Sequence, residues 1–479
     1  MKNQCKSALS VVVIYIFSAS FFFADDVPDY AKAPKMSYVA AGYFAKILCS
    51  AVFISHRDPG DVRNDDLRDF PYQSVIDYDG KTVSVSPGFG LPARKAIFRE
   101  GLGSTLATNY TEEHICAQDT GNLTPMTLSP EKQNKLWPEG NSVDLKKLPA
   151  EINNKELTEA IEKAFTEPLA DQDKFRGTRA VVVVYKGRII AEKYAPGFTK
   201  DMPLMGWSMT KSITNAMIGI MVHEGKLSIK KPAPVPEWSG SGDPRGTITL
   251  DQLLRMSSGL GFVEDYVDIL SDTPFMLFGT PDAAGFASAK PLDVEPDSRW
   301  RYISGSPNLV CRIIREALGG PLPQYFEFPR RRLFDRIGMQ SAIIEPDATG
   351  TFIGSSFSYA TARDWARFGL LYLQDGIWDG ERILPEGWVT YSTTPTPKAP
   401  SGQYGAYWWL NAGNAEDNTK RTFPSLPTDL YYASGYEGQY VIVIPSRNIV
   451  LVRLGLCHPV YMDVGIEELV REVLAAIDK

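Results

Sequence analysis

The stretch Ser208-Met209-Thr210-Lys211 follows Gly206-Trp207 and opens an apolar run with helical spacing, formed by Ile213, Met217, Ile218 and Met221. Residues three apart lie on one face of an α-helix, so the lysine amine can reach the serine hydroxyl. A lysine whose pKa is lowered by burial or by nearby positive charge can take the serine proton and create a nucleophile. The spacing therefore predicts covalent catalysis, although the same pattern also arises where a serine caps a helix and the lysine faces solvent.

Two further segments contain groups that a hydrolase with a Ser/Lys pair requires. Tyr302-Ile303-Ser304 offers a phenol between a turn-rich segment at 295–298 and a helical pattern at 309–318. Residues 433–439, Ala-Ser-Gly-Tyr-Glu-Gly-Gln, lead into an apolar strand at 440–444. Glycines at a strand edge let the backbone approach a ligand closely. Each segment alone is also typical of ordinary packing or a turn, so the prediction depends on all three occurring in this order.

Together these motifs resemble those of the serine β-lactamase superfamily of class C β-lactamases, D-alanyl-D-alanine carboxypeptidases and related esterases. The likeness is strongest to the 6-aminohexanoate-dimer hydrolases, and it extends from about residue 174 to the C-terminus. It also includes Leu253-Leu-Arg-Met-Ser-Ser-Gly-Leu260 and Thr361-Ala-Arg-Asp-Trp-Ala-Arg367. The resemblance implies an α+β fold, with an antiparallel sheet flanked by N- and C-terminal helices and an inserted, mostly helical subdomain.

The resemblance also implies roles for particular residues. Ser208 would attack the substrate carbonyl and form an acyl-enzyme, while Lys211 and Tyr302 would share the proton transfers. The backbone N–H groups of Ser208 and Tyr436 would form the oxyanion hole. Ser304 stands where class C β-lactamases have asparagine, and we expect it to hydrogen-bond Lys211 and to line the substrate site.

The third motif differs from the corresponding motif of these families. Ala433-Ser434-Gly435 stands where β-lactamases and carboxypeptidases have Lys-Thr-Gly or His-Thr-Gly, whose cation helps to hold a substrate carboxylate. Glu437 replaces the histidine of the Gly-x-His-Gly-Gln motif of the oligoamide hydrolases. Gly435 and Glu437 are therefore predicted substrate-binding residues, and Glu437 either selects a cationic substrate or, more in keeping with acidic residues generally, faces solvent.

Tyr266 is a further predicted substrate ligand. It ends Glu264-Asp265-Tyr266, and the oligoamide hydrolases have an Asp-Tyr pair at the matching place, whose tyrosine reaches the substrate amide. An aromatic residue in a long loop is equally typical of packing. The aromatic loop at 404–410, with Trp408 and Trp409, is predicted to shape the mouth of the site.

Other chemistries find little support in the sequence. None of the four histidines, His56, His114, His223 and His458, has a recognisable triad setting, and no metal-binding motif occurs, so no metal and no cofactor are predicted. The net charge of −7 and the lack of a basic block argue against nucleic acid as a partner. The expected partner is a small amide or ester substrate, and the oligomeric state is left open.

The N-terminus is typical of a secretory signal. Lys2 and Lys6 precede an apolar segment at 8–23, so residues 1–24 are predicted to be a signal peptide, with an uncleaved anchor as the alternative. No later segment is expected to be long and apolar enough to cross a membrane, so a cleaved signal would leave no stable membrane insertion. The predicted location is periplasmic or secreted. In that setting Cys49 and Cys116 could form a disulfide, and Cys311 and Cys457 could pair or remain free thiols.

The remaining chain is divided into a predicted N-terminal extension and linker at 25–150 and a hydrolase domain at 151–479. Within that domain we expect a sheet part at about 151–205 and 391–479 and a helical part at about 206–390. Apolar strands at 178–185 and 449–454 are continuous, which is typical of strands covered on both faces. The leading functional prediction is an exported serine hydrolase of amides or esters. The alternatives are a β-lactam or D-alanyl peptide hydrolase and a non-catalytic binding protein.

Overall fold

The computed structural model describes residues 31–126, 129–167, 174–413, 420–460 and 462–477. The described chain forms two compact units. Unit 1 contains residues 31–99, 103–117 and 265–281, and unit 2 contains residues 100–102, 118–264 and 282–477. The predicted signal peptide at 1–24 lies outside the described residues, as does Cys5.

Helices account for most of the regular structure. In the described ranges they are α1 (Ala33–Phe53), α2 (Pro59–Asn64), α3 (Glu112–Cys116), α4 (Pro130–Gln133), α5 (Asn154–Ala164), α6 (Thr210–His223), α7 (Leu250–Leu254), α8 (Asp272–Gly279), α9 (Ala283–Ser288), α10 (Gly305–Ala317), α11 (Leu322–Pro329), α12 (Asp335–Ile337), α13 (Ala362–Leu373), α14 (Trp388–Thr393) and α15 (Ile466–Ile477).

The strands are mostly short outside the two main sheets. Across the described chain they are β1 (Ser74–Asp77), β2 (Thr82–Val85), β3 (Arg94–Arg99), β4 (Gly103–Leu106), β5 (Thr178–Tyr185), β6 (Arg188–Tyr194), β7 (Leu204–Met205), β8 (Ile343–Ile344), β9 (Ser358–Ala360), β10 (Ile377–Trp378), β11 (Glu381–Arg382), β12 (Trp409–Leu410), β13 (Tyr431–Gly435), β14 (Gln439–Ile444) and β15 (Ile449–Gly455).

Unit 1 is built around its long apolar helix. Helix α1 packs on the antiparallel sheet β1-β2-β3-β4 and on α8. The amine of Lys46 is buried within this packing and donates hydrogen bonds to the hydroxyls of Ser50 and Ser104, at 3.3 and 3.2 Å. The helix thus serves as the core of a folded unit.

By length and composition, α1 could also cross a membrane. The expectation that no segment after residue 24 is long and apolar enough to cross a membrane was therefore wrong. A buried core helix passes the same test, however, and 78% of the most apolar window of α1 is buried inside the protein. Its apolar surface is accounted for by the packing within unit 1.

The main sheet of unit 2 joins strands from both ends of the hydrolase domain. Its order is β12-β13-β14-β15-β5-β6, and every neighbouring pair is antiparallel. All eight residues of β5 are buried, and Val183 of β5 pairs with Leu451 of β15. The predicted shared sheet is therefore present, and the α+β fold is confirmed.

Helices cover both faces of this sheet. Helices α5 and α15 pack together over one face, where the core includes Leu157, Ile442, Leu469 and Val473. Helix α13 covers the other face, and a Cβ at its Gly369 would lie 2.5 Å from a methyl of Val450. Cover on both faces explains why the central strands are continuously apolar.

The middle of unit 2 is mostly helical and contains the small sheet β7-β9-β8. Helix α6 is buried along almost its whole length and packs on α10, while the turn before it packs on β13 and β14. The start of α6 therefore lies where the helical part meets the main sheet. The polar segment before residue 150 runs over α13, where Arg367 donates to the carbonyl of Gly140 at 2.7 Å.

No disulfide joins any of the four cysteines of the described chain. The disulfide considered between Cys49 and Cys116 is not formed. Cys49 is buried and its thiol faces the carbonyl of Ala96 at 3.7 Å, whereas Cys116 is exposed. Cys311 and Cys457 are buried free thiols, which was one of the two options for them.

Candidate active site

Ser208 lies in a 3-10 turn, Trp207–Met209, that leads directly into α6. The residue before it has a positive φ of 47°, a conformation that is uncommon for a bulky side chain. The Thr210 hydroxyl stabilises this turn by donating to the carbonyl of Trp207 at 2.6 Å. The N–H of Gly206 donates to the carbonyl of Ser358 at 2.8 Å. These contacts present Ser208 at the start of a buried helix.

Lys211 lies one turn further along α6 and points back to Ser208. Its Nζ is 2.9 Å from Ser208 Oγ, 3.2 Å from Ser304 Oγ and 2.9 Å from the carbonyl oxygen of Ser355. The side chain is almost fully buried. Burial lowers the pKa of Lys211 to about 8, against the opposing effect of the Glu264 carboxylate. An appreciable fraction of this amine is therefore uncharged near neutral pH.

Tyr302 completes the cluster around Ser208. Its ring centroid lies 4.7 Å from Lys211 Nζ, and its phenol interacts with the Ser208 hydroxyl. Desolvation and the charge of Glu264 raise the pKa of Tyr302 well above its usual value, although the interaction with Ser208 opposes this. The phenol is thus protonated at neutral pH. In the described part of the chain, the side chain that hydrogen-bonds Ser208 is Lys211, and no histidine is within that contact.

Glu264 is a site residue that the sequence analysis missed. Its carboxylate accepts hydrogen bonds from the N–H and the hydroxyl of Ser304, at 2.7 and 2.6 Å. Ser304 in turn contacts Lys211, as predicted from its place in the Tyr-x-Ser motif. Glu264 directly precedes Asp265-Tyr266, the pair that matches the Asp-Tyr pair of the oligoamide hydrolases. Nothing in the spacing connects position 264 with position 304.

The third motif reaches the start of α6 from the main sheet. A Cβ at Gly435 would lie 2.2 Å from the carbonyl oxygen of Gly206, so the two backbones touch. The ring of Tyr436 makes an edge-to-face contact with Trp207, at 5.4 Å between centroids. The structure therefore brings Gly435 and Tyr436 against the segment that carries Ser208.

Glu437 has a partner that neither sequence interpretation anticipated. It is partly exposed, but its Oε2 accepts a hydrogen bond from the indole Nε1 of Trp207 at 3.1 Å. Its backbone has a positive φ of 63°. The carboxylate is therefore held at the residue next to the candidate nucleophile.

Aromatic side chains form one wall beside Tyr302. The Trp409 ring stacks on Tyr302 at 5.4 Å, and Tyr404 meets both rings edge to face. Trp408, in contrast, is fully buried and stacks on Phe368 in the core. Of the two tryptophans predicted to shape the mouth, the structure thus brings only Trp409 to the site.

Tyr266 belongs to unit 1, in the segment 265–281, and is partly exposed. Its role as a substrate ligand stays a prediction. Within the described ranges no group of three or more His, Cys, Asp or Glu side chains is arranged to hold a metal ion.

Several known proteins resemble this chain in sequence or in fold. Residues 161–455 match the Beta-lactamase family. A 6-aminohexanoate-dimer hydrolase from Paenarthrobacter ureafaciens is 26% identical over 305 residues, which cover 58% of this chain and 72% of the relative. A Bacillus anthracis protein provisionally assigned as a 6-aminohexanoate-dimer hydrolase has a similar fold, with a TM-score of 0.54 and 21% identity over 75% of this chain and 88% of that one. A penicillin-binding protein homologue from Caulobacter crescentus has a TM-score of 0.51 and 16% identity, covering 68% of this chain and 98% of its own.

The fold and the family match define the class of protein as a serine hydrolase of the β-lactamase superfamily. The chain belongs to the Beta-lactamase family, and the matched residues belong to unit 2 except for 265–281, which belong to unit 1.

Proposed function

We propose that this chain hydrolyses an amide or an ester through an acyl-enzyme formed on Ser208, with a small linear oligoamide or carboxylic ester as the substrate class. The observation that carries the proposal is the 2.9 Å distance between Lys211 Nζ and Ser208 Oγ, in surroundings that lower the pKa of the amine to about 8. The similarity to a 6-aminohexanoate-dimer hydrolase supports an amide as the substrate.

In the acylation step the uncharged Lys211 amine takes the proton of Ser208, and Oγ forms a bond to the substrate carbonyl carbon. The π electrons of the carbonyl move to its oxygen and give a tetrahedral oxyanion. When they return, the bond to the leaving amine or alcohol breaks and the leaving group receives a proton. Water repeats the sequence in the deacylation step and releases the acid.

The pKa directions suggest how Lys211 and Tyr302 divide the proton transfers. The lowered pKa of Lys211 suits a base, whereas the raised pKa of Tyr302 keeps its proton available for the leaving group. Ser208 Oγ carries no proton in the acyl-enzyme, so the proton accepted by Lys211 returns to the Tyr302 phenolate through solvent water rather than through the serine. The two groups then finish each half-reaction in their starting states.

The oxyanion is proposed to bind the backbone N–H groups of Ser208 and Tyr436. The contact between Gly435 and the Gly206 carbonyl supports this assignment, because it places the two donor-bearing segments side by side. Backbone donors aimed at a developing charge typically contribute about 10²–10³ in rate each. Since Ser304 already contacts both Lys211 and Glu264, we propose that it positions the amine rather than binding substrate.

Covalent labelling tests the nucleophile. A fluorophosphonate probe is expected to add its mass to the peptide containing Ser208 in the wild type and in the exposed-serine control Ser239→Ala, but not in Ser208→Ala. Retention of full hydrolytic activity by Ser208→Ala on a good substrate would overturn the proposal. Nitrocefin turnover well above background would instead favour β-lactam hydrolysis, against which the buried Ala433 at the cationic position of the third motif argues.

Export is proposed on the sequence pattern of Lys2, Lys6 and the apolar segment at 8–23. Expression in a bacterial host followed by N-terminal sequencing of the extracytoplasmic protein tests it. The mature chain is expected to begin after residue 20 or residue 24. Recovery of the intact N-terminus in the membrane fraction would favour an uncleaved anchor, and recovery in the cytoplasm would contradict export.

A further inference from the structure

We propose that the hydrogen bond between the Trp207 indole and the Glu437 carboxylate holds the two oxyanion-hole donors in position, which makes Glu437 a positioning residue. The inference rests on the proposed function and deepens it. Trp207 directly precedes Ser208, and Glu437 directly follows Tyr436. The 3.1 Å bond from Trp207 Nε1 to Glu437 Oε2 therefore joins the immediate neighbours of the two proposed N–H donors.

Backbone conformation supports a role for these two side chains. Trp207 has φ 47° and Glu437 has φ 63°, in a region where glycine is the low-strain residue. Side chains persist in such conformations where the surrounding structure stabilises them, and these cases concentrate at functional sites. Here the two strained residues bind each other directly.

The turn that carries Glu437 is anchored from the sheet. The buried side chain of Gln439 donates to the carbonyls of Tyr436 and Glu437, at 3.0 and 3.3 Å, and to that of Gly455 on β15 at 2.7 Å. Gly455 returns a hydrogen bond to Gln439 at 2.9 Å. The Trp207–Glu437 hydrogen bond thus connects the Ser208 segment to a turn that is itself fixed to the central strands.

The two segments meet at successive positions. Gly435 lies against the Gly206 carbonyl, the Tyr436 ring lies against the Trp207 ring, and the Glu437 carboxylate accepts from the Trp207 indole. Loss of the Trp207–Glu437 hydrogen bond would leave the backbone contact and the ring contact in place. We therefore expect the two oxyanion-hole N–H groups to be displaced while the fold is kept. A misplacement of about 1 Å at a catalytic group can lower a rate by about 100-fold.

The test compares Glu437→Gly with Glu437→Gln on an ester and on its thionoester, whose sulfur accepts hydrogen bonds weakly. Glu437→Gly is expected to lower kcat for the ester by about 10- to 100-fold with a much smaller change in KM. The ester-to-thionoester rate ratio should fall towards one. Glu437→Gln should recover most of kcat and of this ratio, because its amide oxygen can accept the same indole N–H.

Two controls separate this role from general effects on the backbone. Asp379 is exposed, has φ 50° and lies in the turn between β10 and β11, so Asp379→Gly makes the same kind of change away from the site. It is expected to keep wild-type kcat. The thermal unfolding midpoint of Glu437→Gly should be equal to or above that of the wild type, because glycine relieves the positive φ.

Removal of the indole N–H of Trp207 provides the reciprocal test. Trp207→Phe keeps a ring but has no N–H, and combining it with Glu437→Gly should lower kcat little further than the worse single variant. The proposal is overturned if Glu437→Gln falls as far as Glu437→Gly, because the carboxylate charge and not the hydrogen bond would then matter. An unchanged thionoester ratio in Glu437→Gly would also overturn it.

Failure of this inference can be told apart from failure of the proposed function. If the fluorophosphonate probe does not label Ser208 in the wild type, the proposed function fails. If Ser208 is labelled and Glu437→Gly turns over the ester at the wild-type rate, only the positioning role fails.

Discussion

Glu264 and Ser304 are joined by two hydrogen bonds, because one carboxylate accepts both the N–H and the hydroxyl of the serine. Ser304 Oγ is also 3.2 Å from Lys211 Nζ, so a negative charge acts on the amine across one hydroxyl. This charge raises the pKa of Lys211 while burial lowers it. Glu264 therefore limits how far burial lowers the pKa of the candidate base.

Glu264→Gln is expected to shift the pH dependence of kcat/KM to lower pH. Without the carboxylate, burial acts unopposed and the pKa of Lys211 falls further. The midpoint of the rising limb of the pH profile measures this shift. Asp379→Asn, which removes an exposed charge, should leave the midpoint where it is in the wild type. A shift to higher pH in Glu264→Gln would contradict the assignment.

In the wild type, kcat/KM should rise with pH through a midpoint near 8. The reason is that Lys211 has a pKa of about 8 and accepts the Ser208 proton only when uncharged. A profile of initial rates from pH 6.5 to 9.5 on a neutral substrate checks this. Lys211→Arg, which remains charged across that range, should be inactive. A flat wild-type profile would exclude Lys211 as the base.

Tyr302→Phe should affect substrates according to their leaving groups. A phenol with a raised pKa donates a proton, so its loss should reduce amide or alkyl ester hydrolysis by about 10²–10⁴. Hydrolysis of a 4-nitrophenyl ester should fall much less, because that leaving group departs as an anion. Rates on a matched pair of esters test this division. Equal losses on both would indicate that Tyr302 acts as the base.

Gly435→Ala should reduce both activity and stability, because its Cβ would lie 2.2 Å from the carbonyl oxygen of Gly206. The two proposed oxyanion donors would move apart, and we expect kcat to fall by about 10²-fold or more. Gly240→Ala is the matched control, since no atom lies within 4 Å of a Cβ at that position. Assays and thermal unfolding of both variants give the comparison, and wild-type kcat in Gly435→Ala would contradict the contact.

Lys211 should lower the stability of the fold at neutral pH. Its folded pKa of about 8 lies below the ordinary value of 10.5, so the unfolded chain binds more protons between these values. The penalty is therefore present below pH 8 and disappears as the pH rises towards 10.5. Relative to Lys211→Met, the wild type should gain about 2 kcal/mol of unfolding free energy between pH 7 and pH 10. Denaturant unfolding of both proteins at the two pH values measures it, and a constant difference would contradict the lowered pKa.

The fold could be predicted to the extent that local patterns determine it. Continuous apolar runs gave the strands β5 and β15, and a helical run after Ser208 gave α6. Position along the chain could not show that Trp409 faces Tyr302 while its neighbour Trp408 enters the core. That outcome depends on which side of a short strand meets the helices.

The site was predictable where one motif contains both partners and obscure where two distant segments meet. Ser208 and Lys211 share a helix, so their spacing predicts the contact. The bonds from Glu264 to Ser304 and from Trp207 to Glu437 join residues 40 and 230 positions apart. No local periodicity encodes such pairs. A glutamate in the sequence also gives no indication that the backbone at position 437 has a positive φ.

The order of strands in the main sheet also governs when this protein can fold during synthesis. Strand β15, which emerges late from the ribosome, lies between β14 and the much earlier β5, and Asn153 just before α5 donates to the carbonyl of Ala476 at 2.8 Å. The hairpin β5–β6 must therefore wait for more than two hundred residues before its apolar partners exist. A nascent chain of this protein should consequently depend on chaperones until β15 has been synthesised.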